Sequence, residues 1–279
     1  MVNMDVIAQR AAALRDRHSD QADPDRLKLL LSLIDLTTLE GTDTAGKVRA
    51  LCAQAMRPGG DRSDLPSMAA VCVYPSLVRI AKKELVGSSV KVASVAGGFP
   101  AGQIPVQLKL AETRYAIEEG ANEIDLVISR GKFLEDEFAY VHDEIAAVKA
   151  ICGNARLKTI IETGELGSLD NVRQASDIAI KAGSDFIKTS TGKIAPAATS
   201  EVVLVMADAI RDHHAATGKK VGLKPSGGIR SCNDALPYLQ LVEEELGSTW
   251  LDRELLRFGA SSLATDVIGR LQTIRATRK

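Results

Sequence analysis

The sequence has no excess of charge of either sign: 35 Lys and Arg stand against 36 Asp and Glu, a formal net charge of -1. That excludes a global field for holding nucleic acid or an anionic membrane, so any anion must be gripped locally. Cysteine is sparse as well. Cys52, Cys72, Cys152 and Cys232 lie far apart and form no C-x-x-C pair, which suits neither a disulfide framework nor a zinc site. No apolar run approaches the roughly 18 residues of a membrane span, and residues 1–17 carry charges throughout where a signal peptide has a continuous apolar core. These absences describe a protein of the reducing cytoplasm, with neither membrane nor nucleic acid among its partners.

Three further absences narrow the chemistry. His18, His142, His213 and His214 fall in helical or terminal segments and form no H-E-x-x-H motif, so no metal centre is expected. Gly97-Gly98-Phe99-Pro100-Ala101-Gly102 does not match G-x-G-x-x-G, and Gly192-Lys193 lacks the first glycine of a Walker loop, which removes the main support for a nucleotide cofactor. No Pro, Gly and Ser-rich linker divides the chain, so a single domain over residues 1–279 is expected, with residues 1–23 as a helical extension that closes or flanks it.

What is present is alternation. Short Val, Ile and Leu-rich runs at residues 29–37, 68–74, 90–96, 123–128, 157–162, 185–189, 221–224 and 257–259 are separated by segments of helical spacing, such as Phe138, Val141, Ile145 and Val148. Glycines at 120, 153, 183, 218 and 247 follow these segments, where a left-handed cap ends a helix. Eight β-α units in a chain of this length predict a (β/α)₈ barrel, whose site is assembled at the C-terminal ends of the strands.

Polar residues late in apolar runs are therefore the candidates: Asp35, Asp125, Lys158, Glu162, Lys188 and Lys224. Lysines at 188 and 224 fall on consecutive strands with Asp125 across the barrel, and a buried charge costs several kcal/mol unless it is paired. That arrangement suits amine attack on a carbonyl. A second ammonium about 5 Å away at an effective dielectric of about 20 lowers a lysine pKa by about 2 units, and burial acts in the same direction. One lysine can then be neutral and form a Schiff base while the other stays a cation, with Asp125 joining the proton relay through water. Glycine-rich turns after the last three strands, Ser190-Thr191-Gly192-Lys193, Ser226-Gly227-Gly228-Ile229-Arg230 and Gly259-Ala260-Ser261-Ser262, predict a phosphate cradle. Cys72, within an apolar strand, reads as a buried structural thiol.

At these residues the chain resembles the 2-deoxyribose-5-phosphate aldolase family. The resemblance runs through Asp35-Leu36-Thr37-Thr38-Leu39, Val71-Cys72-Val73-Tyr74-Pro75, Glu123-Ile124-Asp125-Leu126-Val127, Glu162-Thr163-Gly164-Glu165-Leu166, Phe186-Ile187-Lys188-Thr189 and Gly222-Leu223-Lys224-Pro225. It implies that Lys188 forms the Schiff base, that Lys224 perturbs it and moves protons, and that Asp125 completes the relay. It also implies reversible cleavage of 2-deoxy-D-ribose 5-phosphate to D-glyceraldehyde 3-phosphate and acetaldehyde with no metal or organic cofactor. Asp35, Thr37, Lys158, Gly192, Lys193, Gly227, Gly228, Arg230, Gly259, Ser261 and Ser262 are the expected substrate-binding residues, and a homodimer is the expected assembly.

Two positions depart from the family pattern. Ser226 stands where Ala is usual, and the tail Arg275-Ala276-Thr277-Arg278-Lys279 has no tyrosine, which leaves Asp125 and Lys224 as the proton relay. The competing readings are a different Schiff-base aldolase or transaldolase-like barrel, and a sugar-phosphate-binding barrel without catalysis. If the metal-free expectation holds, incubation with EDTA leaves aldol cleavage unchanged; loss of activity that a divalent ion restores would contradict it.

Overall fold

In the computed structural model, which describes residues 2–17, 23–60 and 64–277, eight parallel strands form one sheet in the order β7-β6-β5-β4-β3-β2-β1-β8. The strands are β1 (Ile34–Thr37), β2 (Ala70–Val73), β3 (Lys91–Ala96), β4 (Glu123–Val127), β5 (Arg156–Ile160), β6 (Phe186–Lys188), β7 (Gly222–Lys224) and β8 (Phe258–Ala260). The two edges meet. The Leu223 N–H donates to the Leu255 carbonyl at 2.8 Å, the Arg257 N–H to Leu223 at 3.1 Å and the Gly259 N–H to Pro225 at 3.0 Å, which closes the barrel.

The helices are α1 (Met4–Arg17), α2 (Pro24–Ser32), α3 (Ala45–Met56), α4 (Val78–Glu84), α5 (Val106–Glu118), α6 (Arg130–Leu134), α7 (Phe138–Cys152), α8 (Leu169–Lys181), α9 (Ser200–Thr217), α10 (Cys232–Leu246) and α11 (Leu263–Thr277). All five glycines read as helix ends have positive φ, from 55° at Gly153 to 107° at Gly120, so each follows its helix in a conformation that side chains resist.

All eight expected strands are present, but the first is shorter than its apolar run. Residues 29–32 belong to α2, because Asp23 caps the helix by accepting from the N–H groups of Asp25 and Arg26, Pro24 sits in the first turn, and Leu27, Leu30 and Leu31 share one buried face. The run mixes the last turn of that helix with the start of β1. The N-terminal extension is a helix that flanks the barrel: α1 buries Ile7, Ala11 and Leu14 against α9 and α10, and Arg10 pairs with Asp208 at 2.8 Å and Glu245 at 2.6 Å. Residues 18–22, with His18, and the tail residues 278 and 279 lie outside the described part.

Alternation along each strand sorts side chains into two environments. Ile34, Leu36, Val71, Val73, Ile124, Leu126, Leu157, Ile187 and Leu223 face the helices in one continuous apolar layer. Inward, a smaller cluster of Ala70, Cys72, Ala93 and Val95 with Leu39 lines part of the barrel, and charged residues occupy the rest. Small residues make room for them. Gly222 is an example, since a Cβ there would lie 2.3 Å from the ring of Phe186 on the adjacent strand. Gly222→Ala is expected to lower stability by about 1–3 kcal/mol, measured as a fall in the denaturant midpoint; an unchanged midpoint would mean that Phe186 has space to move.

Candidate active site

The C-terminal halves of β4, β6 and β7 bring three of the expected residues together. Lys188 and Lys224 are register partners on neighbouring strands, and the Asp125 carboxylate lies between them. Lys188 Nζ donates to Asp125 Oδ2 at 2.8 Å, and Lys224 Nζ donates to the same oxygen at 2.7 Å and to Asp35 Oδ2 at 2.5 Å. The Asp125 link is direct, where the sequence suggested a water-mediated relay.

The three groups titrate in different directions. Burial lowers the Lys188 pKa first; Asp125 opposes that effect and Lys224 adds to it, with the net result below the ordinary lysine value. The like-charge repulsion expected from the sequence is therefore real but secondary to desolvation. Lys224 is raised above its ordinary value despite burial, because Asp125 and Asp35 both contact it. Asp125 is held well below the carboxylate range by Lys158, Lys188 and Lys224 against the burial penalty. An amine of lowered pKa beside a lysine of raised pKa and an ionised carboxylate is an arrangement for carbonyl attack and proton transfer. Cys72 also reaches this point, 4.0 Å from Asp125 Oδ2, and burial pushes its thiol up to about 11, so it is a neutral neighbour.

The loops that follow β6, β7 and β8 enclose a cavity of about 580 Å³ lined by Thr37, Gly192, Lys193, Ser226, Gly227, Gly228, Arg230, Gly259 and Ser261, and a Cβ on Gly259 in its wall would lie 3.2 Å from Lys224 Cε. The expected phosphate-binding turns thus converge, except that Ser262 is outside the wall, its hydroxyl donating to the Arg230 carbonyl at 3.4 Å. Glycine is required where the loops pass closely: a Cβ on Gly227, at φ 85°, would sit 2.6 Å from Ala197 Cβ, and one on Gly259 would lie 2.7 Å from Ser226 Oγ. The serine departure therefore packs against Gly259 at the cavity floor. Lys193 reaches across the mouth to Glu40 at 2.8 Å. Tyr74 and Phe99 pack edge to face, 6.0 Å between centroids, against the inner apolar cluster. A larger groove, of about 720 Å³, lies between α8 and α9 beside Asp185 and Val221, at the N-terminal ends of β6 and β7 and away from the glycine-rich turns.

Two expected substrate-binding residues are placed elsewhere. Asp35 and Lys158 have no exposed surface and do not line the cavity. Lys158 donates to Asp125 at 3.0 Å and pairs with Glu123 at 2.5 Å, and Asp35 accepts from Lys224 and, at 2.6 Å, from Arg257. Their polar atoms are taken up by other buried charges, so in this structure they share one network with Asp125, Lys188 and Lys224, none of which lines the cavity either. Glu123 and Arg257, the other members, were passed over in the sequence; the period-2 pair Glu123 and Asp125 was the available signal. Glu162 is a brace. Its backbone is left-handed at φ 52°, and its carboxylate accepts from the Thr191 N–H and from Arg130 at 3.2 Å each, tying the loops after β4, β5 and β6 together. Among the described residues no cluster of His, Cys, Asp and Glu has the geometry of a metal site, and no helix is long and apolar enough to cross a membrane.

The family model for DeoC/LacD family aldolase matches residues 29–260. The chain is 48% identical over 280 aligned positions to the deoxyribose-phosphate aldolase of Homo sapiens, covering 95% of this chain and 87% of that protein. The Bos taurus deoxyribose-phosphate aldolase is 47% identical with the same coverage. Among solved structures, the tetrameric deoxyribose phosphate aldolase from Aeropyrum pernix is similar with a TM-score of 0.71 and 26% identity, covering 98% of this chain and 100% of that one.

The geometry makes Asp125 the counterion of three amines. Removing one partner of a buried pair leaves uncompensated charge, so Asp125→Asn should cost about 3–5 kcal/mol of unfolding free energy at pH 7. Because the folded-state pKa is depressed, that difference is fully present above about pH 4 and diminishes only as the pH falls toward the folded value. A loss below about 1 kcal/mol at neutral pH would refute the counterion role.

Proposed function

This chain belongs to the DeoC/LacD aldolase family, and on that premise we propose that Lys188, Lys224 and Asp125 carry out the aldolase reaction. The reaction is the reversible cleavage of 2-deoxy-D-ribose 5-phosphate to D-glyceraldehyde 3-phosphate and acetaldehyde through a lysine Schiff base. The observation that carries the assignment is the shared Asp125 oxygen, 2.8 Å from the Lys188 amine and 2.7 Å from that of Lys224.

Lys188 Nζ, its pKa lowered chiefly by burial, adds to the C1 aldehyde of the open-chain sugar. The carbinolamine loses water to become an iminium, whose positive charge faces the Asp125 carboxylate. The C2–C3 bond then breaks: its electron pair moves to C2 as the enamine forms, and the proton of the C3 hydroxyl passes to the Asp125 and Lys224 pair. D-Glyceraldehyde 3-phosphate leaves. Protonation of the enamine at C2 from the same pair and hydrolysis of the iminium release acetaldehyde and restore Lys188.

Lys193, Arg230, Ser261 and the backbone of Gly192, Gly227 and Gly228 hold the phosphate, supported by their convergence on one cavity and by the exposed Arg230 side chain at its rim. Thr37 lines the opposite wall. The proposal includes a cytoplasmic location, consistent with four free buried cysteines. It also includes a homodimer, for which Leu108, Tyr115, Leu134 and Tyr140 on α5, α6 and α7 offer exposed apolar surface.

Reduction with borohydride in the presence of acetaldehyde, followed by peptide mass mapping, is expected to mark Lys188. Modification of Lys224 or Lys193 with Lys188 untouched reverses the assignment, and trapping with dihydroxyacetone but not acetaldehyde points to a different aldolase.

A further inference from the structure

The Schiff-base reaction employs three buried charged side chains and leaves four without a task. Asp35, Glu123, Lys158 and Arg257 are each no more than 2% exposed. They do not form a separate cluster. Arg257 Nη1 contacts Asp35 at 2.6 Å and Glu123 at 3.0 Å, and its Nη2 contacts Glu123 at 2.7 Å. Lys158 Nζ contacts Glu123 at 2.5 Å, Asp125 at 3.0 Å and Asp35 at 3.4 Å, and from these carboxylates the contacts continue to Lys224 and Lys188. One network therefore runs from the N-terminal end of β4 to the reacting amine.

Its surroundings add little charge. β2 contributes Cys72, whose thiol is neutral, and β3 contributes Ala93 and Val95. Beyond the ends of the network, Arg156 pairs with Glu254 and Glu162 pairs with Arg130. Within it stand three carboxylates, Asp35, Glu123 and Asp125, and four groups able to be cations, Lys158, Lys188, Lys224 and Arg257. The interior is electrically neutral only when one of the four is uncharged. Arg257 cannot give up its proton, Lys158 touches all three carboxylates, and Lys224 touches two. Lys188 touches one.

We propose that Glu123 and Arg257, which are buried and absent from the cavity lining, are positioning residues that set the protonation state of Lys188 through the charge balance of this buried network. Glu123 pairs with Lys158 and Arg257, so that Lys158, Lys224 and Arg257 already match the three carboxylates and Lys188 is the fourth, unmatched group. The directions of titration agree: Lys158 and Arg257 are raised, and Lys188 is lowered. The inference rests on the Schiff-base reading given above.

A unit charge roughly 10 Å away at an effective dielectric of about 20 moves a pKa by about one unit. The readout is the pH dependence of Lys188 labelling by acetaldehyde and cyanoborohydride, followed by peptide mass, which reports the free amine independently of turnover. Glu123→Gln removes an anion, disfavours protonated Lys188 and moves the acid limb down by about one pH unit. Arg257→Gln removes a cation and moves it up by a similar amount, while the double variant returns it near the wild-type position. Arg257→Lys and Glu123→Asp keep the charges and leave the limb in place, whatever they do to stability. Should Arg257→Gln fail to fold, the comparison of Glu123→Gln with Glu123→Asp decides alone. An unmoved limb in Glu123→Gln, or a shift in the same direction for both single charge removals, overturns the proposal. Wild-type protein that is never labelled at Lys188 overturns instead the Schiff-base assignment.

Discussion

Three amines converge on the carboxylate of Asp125, at 2.7 Å from Lys224, 2.8 Å from Lys188 and 3.0 Å from Lys158. In a closed interior one negative charge cannot compensate three positive ones, because water is not there to screen the excess. The contacts of the amines are unequal. Lys158 and Lys224 reach further carboxylates, and Lys188 does not, so the burial penalty falls on Lys188 with the least compensation. Its lowered pKa follows chiefly from burial, which that inequality leaves undercompensated.

The barrel supplies the geometry and the stability that such a network requires. Parallel strands alternate between an outer layer of aliphatic side chains packed on helices and an inner face of small residues and charges. The outer layer provides apolar burial, worth about 25 cal/mol per Å² removed from water, which offsets the cost of desolvating the ionic interior. Gly222 keeps the space that the Phe186 ring fills, and Gly259 the space taken by Ser226 and the end of Lys224. A substitution that adds volume on this face therefore disturbs both packing and charge placement.

The proposed phosphate cradle is built from the same strands as the amines. Gly192 and Lys193 follow Lys188 by four and five residues, and Gly227 and Gly228 follow Lys224 by three and four. The anion and the carbonyl are thereby held in a fixed relation by rigid elements. Binding energy from a group remote from the reacting carbon can then be used to orient it. The Arg130–Glu162 brace holds the neighbouring loops on the other side of the mouth.

Strand alternation, glycine helix ends and lysines placed late in apolar runs were legible in the chain itself, because each is a property of consecutive residues. So were Lys188, Lys224 and Asp125 as a group, and the three turns that converge on the cavity. The boundary between α2 and β1 was less legible, since Leu29, Leu30 and Leu31 fit either a buried strand or the last turn of a capped helix. Asp35 and Lys158 were legible as strand-end charges, but their ion-pair partners were not, nor were the contacts of Glu123 and Arg257. Arg257 and Asp35 are 222 positions apart along the chain and 2.6 Å apart in space. Charge pairing depends on distance across the barrel and on the exclusion of water, and neither exists until the eight strands have closed.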